Sequence, residues 1–117
     1  MSDIYTIDFE PSKLSHRLEE LGLEFADLDT AVELMKKEEK MIVAELTLYF
    51  SKNGGYKNIT ELNGHIYSDK KFKDYFDRYE RTLKERNRAK IRYDSYKIFV
   101  DNLRTKIVNE RTLTKNL

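Results

Sequence analysis

Between Arg81 and Arg92, six basic side chains (Arg81, Lys84, Arg86, Arg88, Lys90, Arg92) crowd into twelve positions, with Glu85 the only acid among them. Tyr79 precedes this run, and Tyr93 and Tyr96 follow it. Cations at that density suit a polyanion. Each phosphate neutralised along a nucleic acid releases counterions and steepens the salt dependence of binding by about 0.7 to 0.9 in log–log slope. Aromatic rings between cations suit a single strand, because each base stacks on a ring for about 1–3 kcal/mol. At about 100° per residue, Arg81, Lys84 and Arg88 share one helix face with Lys106, and Lys70 and Lys73 extend that ridge toward the helix start. The same run also reads as a solvated face laced with pairs four residues apart, such as Asp77 with Arg81.

Arg86, Lys90, Lys97 and Arg104 form a second row, within or beside an apolar stripe. Arg86 stands where a core residue is expected, and a charge there needs a partner. It either reaches an acid of the N-terminal half, with Glu39 as the matching polar break, or helps line a basic groove formed by several subunits. A Gly-rich segment, Ser51 to Asn58, carries Lys52 and Lys57 around Tyr56. Tyr56 is the candidate for an exposed stacking ring. Tyr75, Tyr79, Tyr93 and Tyr96 fall at helical spacing and read as core or interface.

Other chemistries find no support. Gly54-Gly55 lacks the Gly-Lys-Ser/Thr ending of a phosphate-binding loop. His16 and His65 have no second ligand at metal spacing. No nucleophile stands with a base at a recognisable spacing. The expectation is a protein that is not an enzyme and needs no cofactor or metal.

The 117 residues predict one domain. Apolar residues make up 39% and charged residues 37%, with one Pro and four Gly. That composition disfavours a turn-rich β protein and points to long helices or coiled coil. Without cysteine there is no disulfide framework, which fits a reducing compartment. The first residues carry acids where a signal peptide needs positive charge, and no run approaches the ~18 apolar residues of a membrane span. A soluble, intracellular setting with no membrane partner is the expectation. Charge is unevenly placed. Residues 1–50 hold 5 Lys/Arg against 12 Asp/Glu, a balance of −7, and residues 51–117 hold 17 against 9, a balance of +8. The two halves either attract each other or leave a basic surface for phosphate.

The elements that position these residues follow from periodicity. Residues 1–10 alternate as a short strand or an arm, with the arm preferred. From Pro11, apolar residues recur at heptad spacing: Leu14, Leu18, Leu21, Phe25, Leu28, Val32, Met35, Ile42, Leu46 and Tyr49. Gly22 weakens a helix by roughly 1 kcal/mol against Ala, and Thr30 with Glu33 matches a capping box. Residues 11–51 are therefore one helix or two, with two preferred. Residues 52–67 read as a loop holding at most one helical turn. Ser68 or Asp69 then caps a long helix, about 68–111, with residues 112–117 as a tail.

That helix carries an apolar stripe of Phe72, Tyr75, Tyr79, Leu83, Ala89, Tyr93, Tyr96, Val100, Leu103 and Ile107. It spans about 60 Å. A second helix of only 30–51 would leave half the stripe uncovered, so other subunits are the expected cover. Tyr79, Leu83, Arg86, Tyr93, Tyr96, Val100, Leu103 and Ile107 are the expected oligomer interface. The fold class is all-α, an elongated, coiled-coil-like antiparallel helical hairpin.

The order of features resembles a family. EEKMIVAELTLYF precedes a Gly/Lys loop and an Ile-Thr-Glu segment. SDKKFKDYFDRYERTLKERNRAKIRYDSYKIFVDNLRTKIVNER follows. Over roughly residues 33–111 this resembles small helical proteins of tailed-phage recombination loci and, more distantly, UvsY-type recombination mediators. The resemblance implies a non-enzymatic accessory of DNA recombination, a homo-oligomer that binds single-stranded DNA. It implies a recombinase or annealing protein and a single-strand-binding protein as further partners. Lys52, Lys57, Tyr56, Arg81, Lys84, Arg88 and Arg92 are the candidate DNA-binding residues. The alternative is a helical structural or interaction protein, or an anti-defence protein, without nucleic-acid binding.

Overall fold

In the computed structural model, which describes residues 10–54 and 56–115, the order is α1 (Pro11–Asn53), α2 (Ile59–Ser68) and α3 (Lys70–Lys115), with no strand among the described residues. The fold is all-α, an antiparallel hairpin of α1 and α3 with α2 in the connection. The arm expected over residues 1–10 lies outside the described residues, apart from Glu10. The Glu10 carbonyl accepts the N–H groups of Lys13 and Leu14 at 3.0 and 3.1 Å.

α1 is one helix of 43 residues, not the preferred pair. Pro11 occupies its first position, where a missing N–H and a fixed φ are harmless. Thr30 is exposed in mid-helix, and Glu33 pairs with Lys36 rather than returning to a cap. Gly22 does not break the helix, because the apolar positions run through it and Tyr93 packs on it. A β-carbon at residue 22 would stand 3.2 Å from the Tyr93 ring. Asn53 ends the helix, its side-chain amide donating to the Tyr49 carbonyl at 2.7 Å. Gly54 follows at φ +70°, the left-handed conformation that closes helices and suits glycine.

The expected loop 52–67 contains α2, ten residues rather than one turn. Asn58 caps it, accepting the Glu61 N–H at 2.9 Å, while the Glu61 carboxylate accepts the Lys57 N–H at 3.2 Å. Leu62 and Ile66, four residues apart, face the core, and that burial carries the helix through Gly64. Asp69 starts α3, accepting the Lys71 N–H at 2.9 Å. The expected tail is helical to Lys115, since residues 112–115 hold no Gly or Pro to stop it.

The chain divides into two compact units. The Asp27–Arg86 unit takes parts of all three helices. Ile42, Leu46, Ile66, Phe72 and Tyr75 form its core, with Met35, Val43, Phe50, Leu62 and Tyr79 partly buried against it. The other unit joins the chain up to Ala26 with Asn87 onward. Its buried residues are Leu14, Leu21, Ala89 and Val100, and Phe25 stacks with Tyr93 at 6.4 Å between ring centres. Positions 72 to 107 of the α3 stripe are each buried or half-buried. The expectation that half of that stripe lies uncovered is therefore corrected. With 43 residues against 46, α1 matches α3 in length.

Candidate nucleic-acid interface

The cations of α3 sort into those that face acids of α1 and those that face solvent. Within the Asp27–Arg86 unit, Lys71 pairs with Glu45, Arg78 with Glu38 at 2.7 Å, and Arg86 with Asp29 at 2.9 Å. Partner numbers fall along α1 as they rise along α3, as antiparallel pairing requires. The hydrogen bond and charge of Glu38 hold the Arg78 guanidinium charged above its ordinary range. Arg78 also lies 5.9 Å from the centre of the Tyr75 ring. In the other unit Arg92 meets Glu24 at 2.6 Å.

Arg86 thus finds its acid on α1, but the acid is Asp29, not Glu39. Asp29 stands one position beside the apolar seam and 43% exposed, so its carboxylate keeps water while it reaches the half-buried guanidinium. Glu39 instead stands by Tyr75 and raises the pKa of its phenol, second to burial.

The expected interface residues Tyr79, Leu83 and Arg86 are half-buried within the Asp27–Arg86 unit. Tyr93, Tyr96, Leu103 and Ile107 are half-buried, and Val100 fully buried, within the other. Their burial comes from the chain itself. It needs no second copy, because α1 runs back past Gly22 to Pro11.

The outer row keeps its exposure. In the Asp27–Arg86 unit, Arg81 and Lys84 face solvent, and Arg81 turns its Nε toward the Asp77 carbonyl at 3.4 Å. Acids stand among these cations: Asp77 and Glu80 line one shallow groove with Arg81 and Lys84, and Glu85 lines another with Arg81. In the other unit Arg88, Lys90, Lys97 and Arg104 are exposed. Among the described residues, none of Lys84, Arg88, Lys90, Lys97 and Arg104 makes an ion pair. Arg92 differs from the other candidates, since Glu24 already holds it.

The connection carries the remaining candidates. Lys52 is exposed in the last turn of α1, and Lys57 is exposed just ahead of α2. Tyr56 is 37% exposed. Two rings that the sequence reading did not single out are more exposed: Tyr67 at 50% and Phe76 at 44%, and both line a cleft with Phe72, Lys73 and Asp77. Their signal was available, since Phe76 sits one position outside the seam that Phe72, Tyr75 and Tyr79 define.

Among the described residues no cluster of His, Asp or Glu could hold a metal, and no helix is long and apolar enough to cross a membrane. His16 lies 2.8 Å from Glu20, and His65 stacks on Phe50 at 5.4 Å. No family model, no curated protein and no solved structure matches the chain.

Proposed function

We propose that the protein is a non-enzymatic, self-associating accessory of phage DNA recombination that binds single-stranded DNA through the exposed cations of α3. One observation carries this reading. The acids of α1 engage Lys71, Arg78, Arg86 and Arg92, yet Lys84 and Arg88 stand exposed and without an acid partner among the described residues. Those are the cations that counterion release on a phosphate chain would use. The resemblance to small proteins of tailed-phage recombination loci supplies the setting, with a recombinase or annealing protein and a single-strand-binding protein as further partners. The test is titration of a fluorescent single-stranded oligonucleotide at low and at moderate salt. Binding that weakens with salt is expected, and no binding at low salt would overturn the reading.

A second reading has its own observation. The same four pairs account for much of the charge asymmetry by joining the acidic and basic halves of one chain, which is what a purely structural or interaction module, or an anti-defence protein, needs. In that case Arg81, Lys84 and Arg88 meet a protein, and replacing them alters a protein complex while leaving oligonucleotides unbound before and after.

A further inference from the structure

The end of α2 and the first turns of α3 form a cleft of about 200 Å³ in the Asp27–Arg86 unit, lined by Tyr67, Phe72, Lys73, Phe76 and Asp77. Phe72 is buried, while Tyr67 and Phe76 are open to solvent. The Phe76 ring lies nearly parallel to Phe72, at 16° with 6.3 Å between centres. Tyr67 stands nearly perpendicular to Phe72, at 80° and 4.9 Å. A planar ligand can therefore stack on Phe76 and meet Tyr67 edge-to-face, the two arrangements that aromatic pairs prefer.

Size and charge select the occupant. The cleft is smaller than the roughly 300–1,000 Å³ of a drug-sized site, so it takes one ring system rather than a helix or a whole cofactor. Lys73 and Asp77 are exposed at its rim, and neither makes an ion pair among the described residues. A ligand that satisfies both offers an anion to Lys73 and an N–H to the Asp77 carboxylate, beside a flat aromatic face. A nucleotide within a strand carries all three, as phosphate, base edge and π-face. An aromatic side chain of a peptide brings the ring without the anion. Position agrees with chemistry, since Lys70 and Lys73 open the exposed ridge that Arg81 and Lys84 continue along α3. Asp77 and Glu80 interrupt that ridge, which is where a base contact fits better than a further phosphate contact.

We propose that this cleft is a nucleobase-stacking site for single-stranded DNA. One base lies on Phe76 against Tyr67, its edge donates an N–H to Asp77, and the adjoining phosphate meets Lys73. The site rests on the DNA-binding reading above and supplies it with a stacking ring. Every base has a π-face, so the cleft adds affinity without choosing a sequence.

The test compares a fluorescent thymidine oligonucleotide with an abasic strand of equal length, both titrated with the full chain at low salt. Wild type should bind the base-bearing strand about tenfold more tightly, as stacking on one ring allows. Phe76→Leu keeps an apolar side chain and removes the ring. It should cut that preference at least about fivefold, with unchanged helicity by circular dichroism, because Phe76 is exposed. Its slope of log affinity against log salt should match wild type, whereas Lys73→Ala should lower the slope by about 0.7. A wild type that binds neither strand overturns the site together with the DNA-binding reading. A wild type that binds both strands alike overturns base stacking alone. A Phe76→Leu chain that keeps the preference overturns this cleft as the base site, even where it loses a protein partner. An unchanged slope in Lys73→Ala overturns the phosphate contact.

Discussion

The hydroxyl of Tyr75 donates to the backbone carbonyl of Met35 at 2.7 Å, from a ring only 1% exposed. It ties α3 to α1 across forty residues of sequence, inside a cluster to which all three helices contribute. Tyr75→Phe keeps the ring and removes the donor. It should destabilise the chain by about 1 kcal/mol, the net worth of such a bond. Urea unfolding checks this, and an unchanged midpoint would show that the bond contributes nothing.

The same site fixes an alkaline limit. Burial, with Glu39 next in effect, pushes the Tyr75 phenol up to about 12. In the unfolded chain it ionises near its ordinary value of about 10. The folded state therefore binds the proton more tightly, and the linked stability is fully present below about pH 10 and lost as pH rises toward 12. Wild type should lose more stability between pH 9 and 12 than Tyr75→Phe, so that its advantage shrinks. Parallel losses in the two proteins would contradict this assignment.

Gly22 and Tyr93 form a second contact that reverses a sequence expectation. Helix propensity alone predicts that any residue but proline at position 22 stabilises α1, Ala by roughly 1 kcal/mol. The Tyr93 ring, 3.2 Å from where a β-carbon would stand, opposes that gain. Gly22→Ala should therefore change stability by less than about 1 kcal/mol, while Gly22→Leu should overpack the contact and lose about 1–3 kcal/mol. Thermal melts of the two variants decide it. A more stable Gly22→Leu would mean that the glycine has no packing role.

Both long apolar stripes were legible because a period of 3 and 4 persists over many turns. The residues from Leu14 to Leu46 and from Phe72 to Ile107 lie where that period puts them, but Tyr49, expected to end the first stripe, is 57% exposed and Phe50 packs on the core instead. The boundaries were less legible, since local signals competed with distant packing. Thr30-x-x-Glu33 is a cap motif by composition alone, and Gly22 is a breaker only until Tyr93 covers it. α2 was hidden by Gly64, although the Asn58-x-x-Glu61 cap and the helical spacing of Ile59, Leu62 and Ile66 are local signals for it. The partition of α3 cations required knowing the register of the hairpin. Glu24, Glu38 and Glu45 share one heptad position with one another, and Lys71, Arg78 and Arg92 share another. Only the antiparallel pairing brings the two sets together, and it sends Arg86 to Asp29 rather than to Glu39.

Arg86 holds the place of an apolar residue in the α3 seam, with its side chain 31% exposed against 43% for Asp29. A charge pair at such a site does little for stability that a well-packed hydrophobe would not do as well. Asp29, left alone, can still be hydrated. Arg86→Leu should therefore leave stability unchanged or raise it by up to about 1 kcal/mol, whereas Arg86→Glu, which faces Asp29 with a second acid, should lower it. A large loss in Arg86→Leu would show that the pair itself holds this part of the hairpin together.

Replacing Arg81, Lys84 and Arg88 together by Ala separates the two functional readings. These exposed side chains add little to the fold, so circular dichroism and the melting temperature should stay near wild type. If they neutralise phosphates, oligonucleotide binding should weaken for every sequence alike. The slope of log affinity against log salt should then fall by about 2, at roughly 0.7 per contact on a single strand. Arg92→Ala gives the contrast. Its guanidinium already meets Glu24 at 2.6 Å, so its loss frees an acid as well as removing a cation, and a smaller change in slope is expected. A triple variant that binds with the wild-type slope would move the DNA contacts off this row. One that binds normally but loses a protein complex would favour the interaction module.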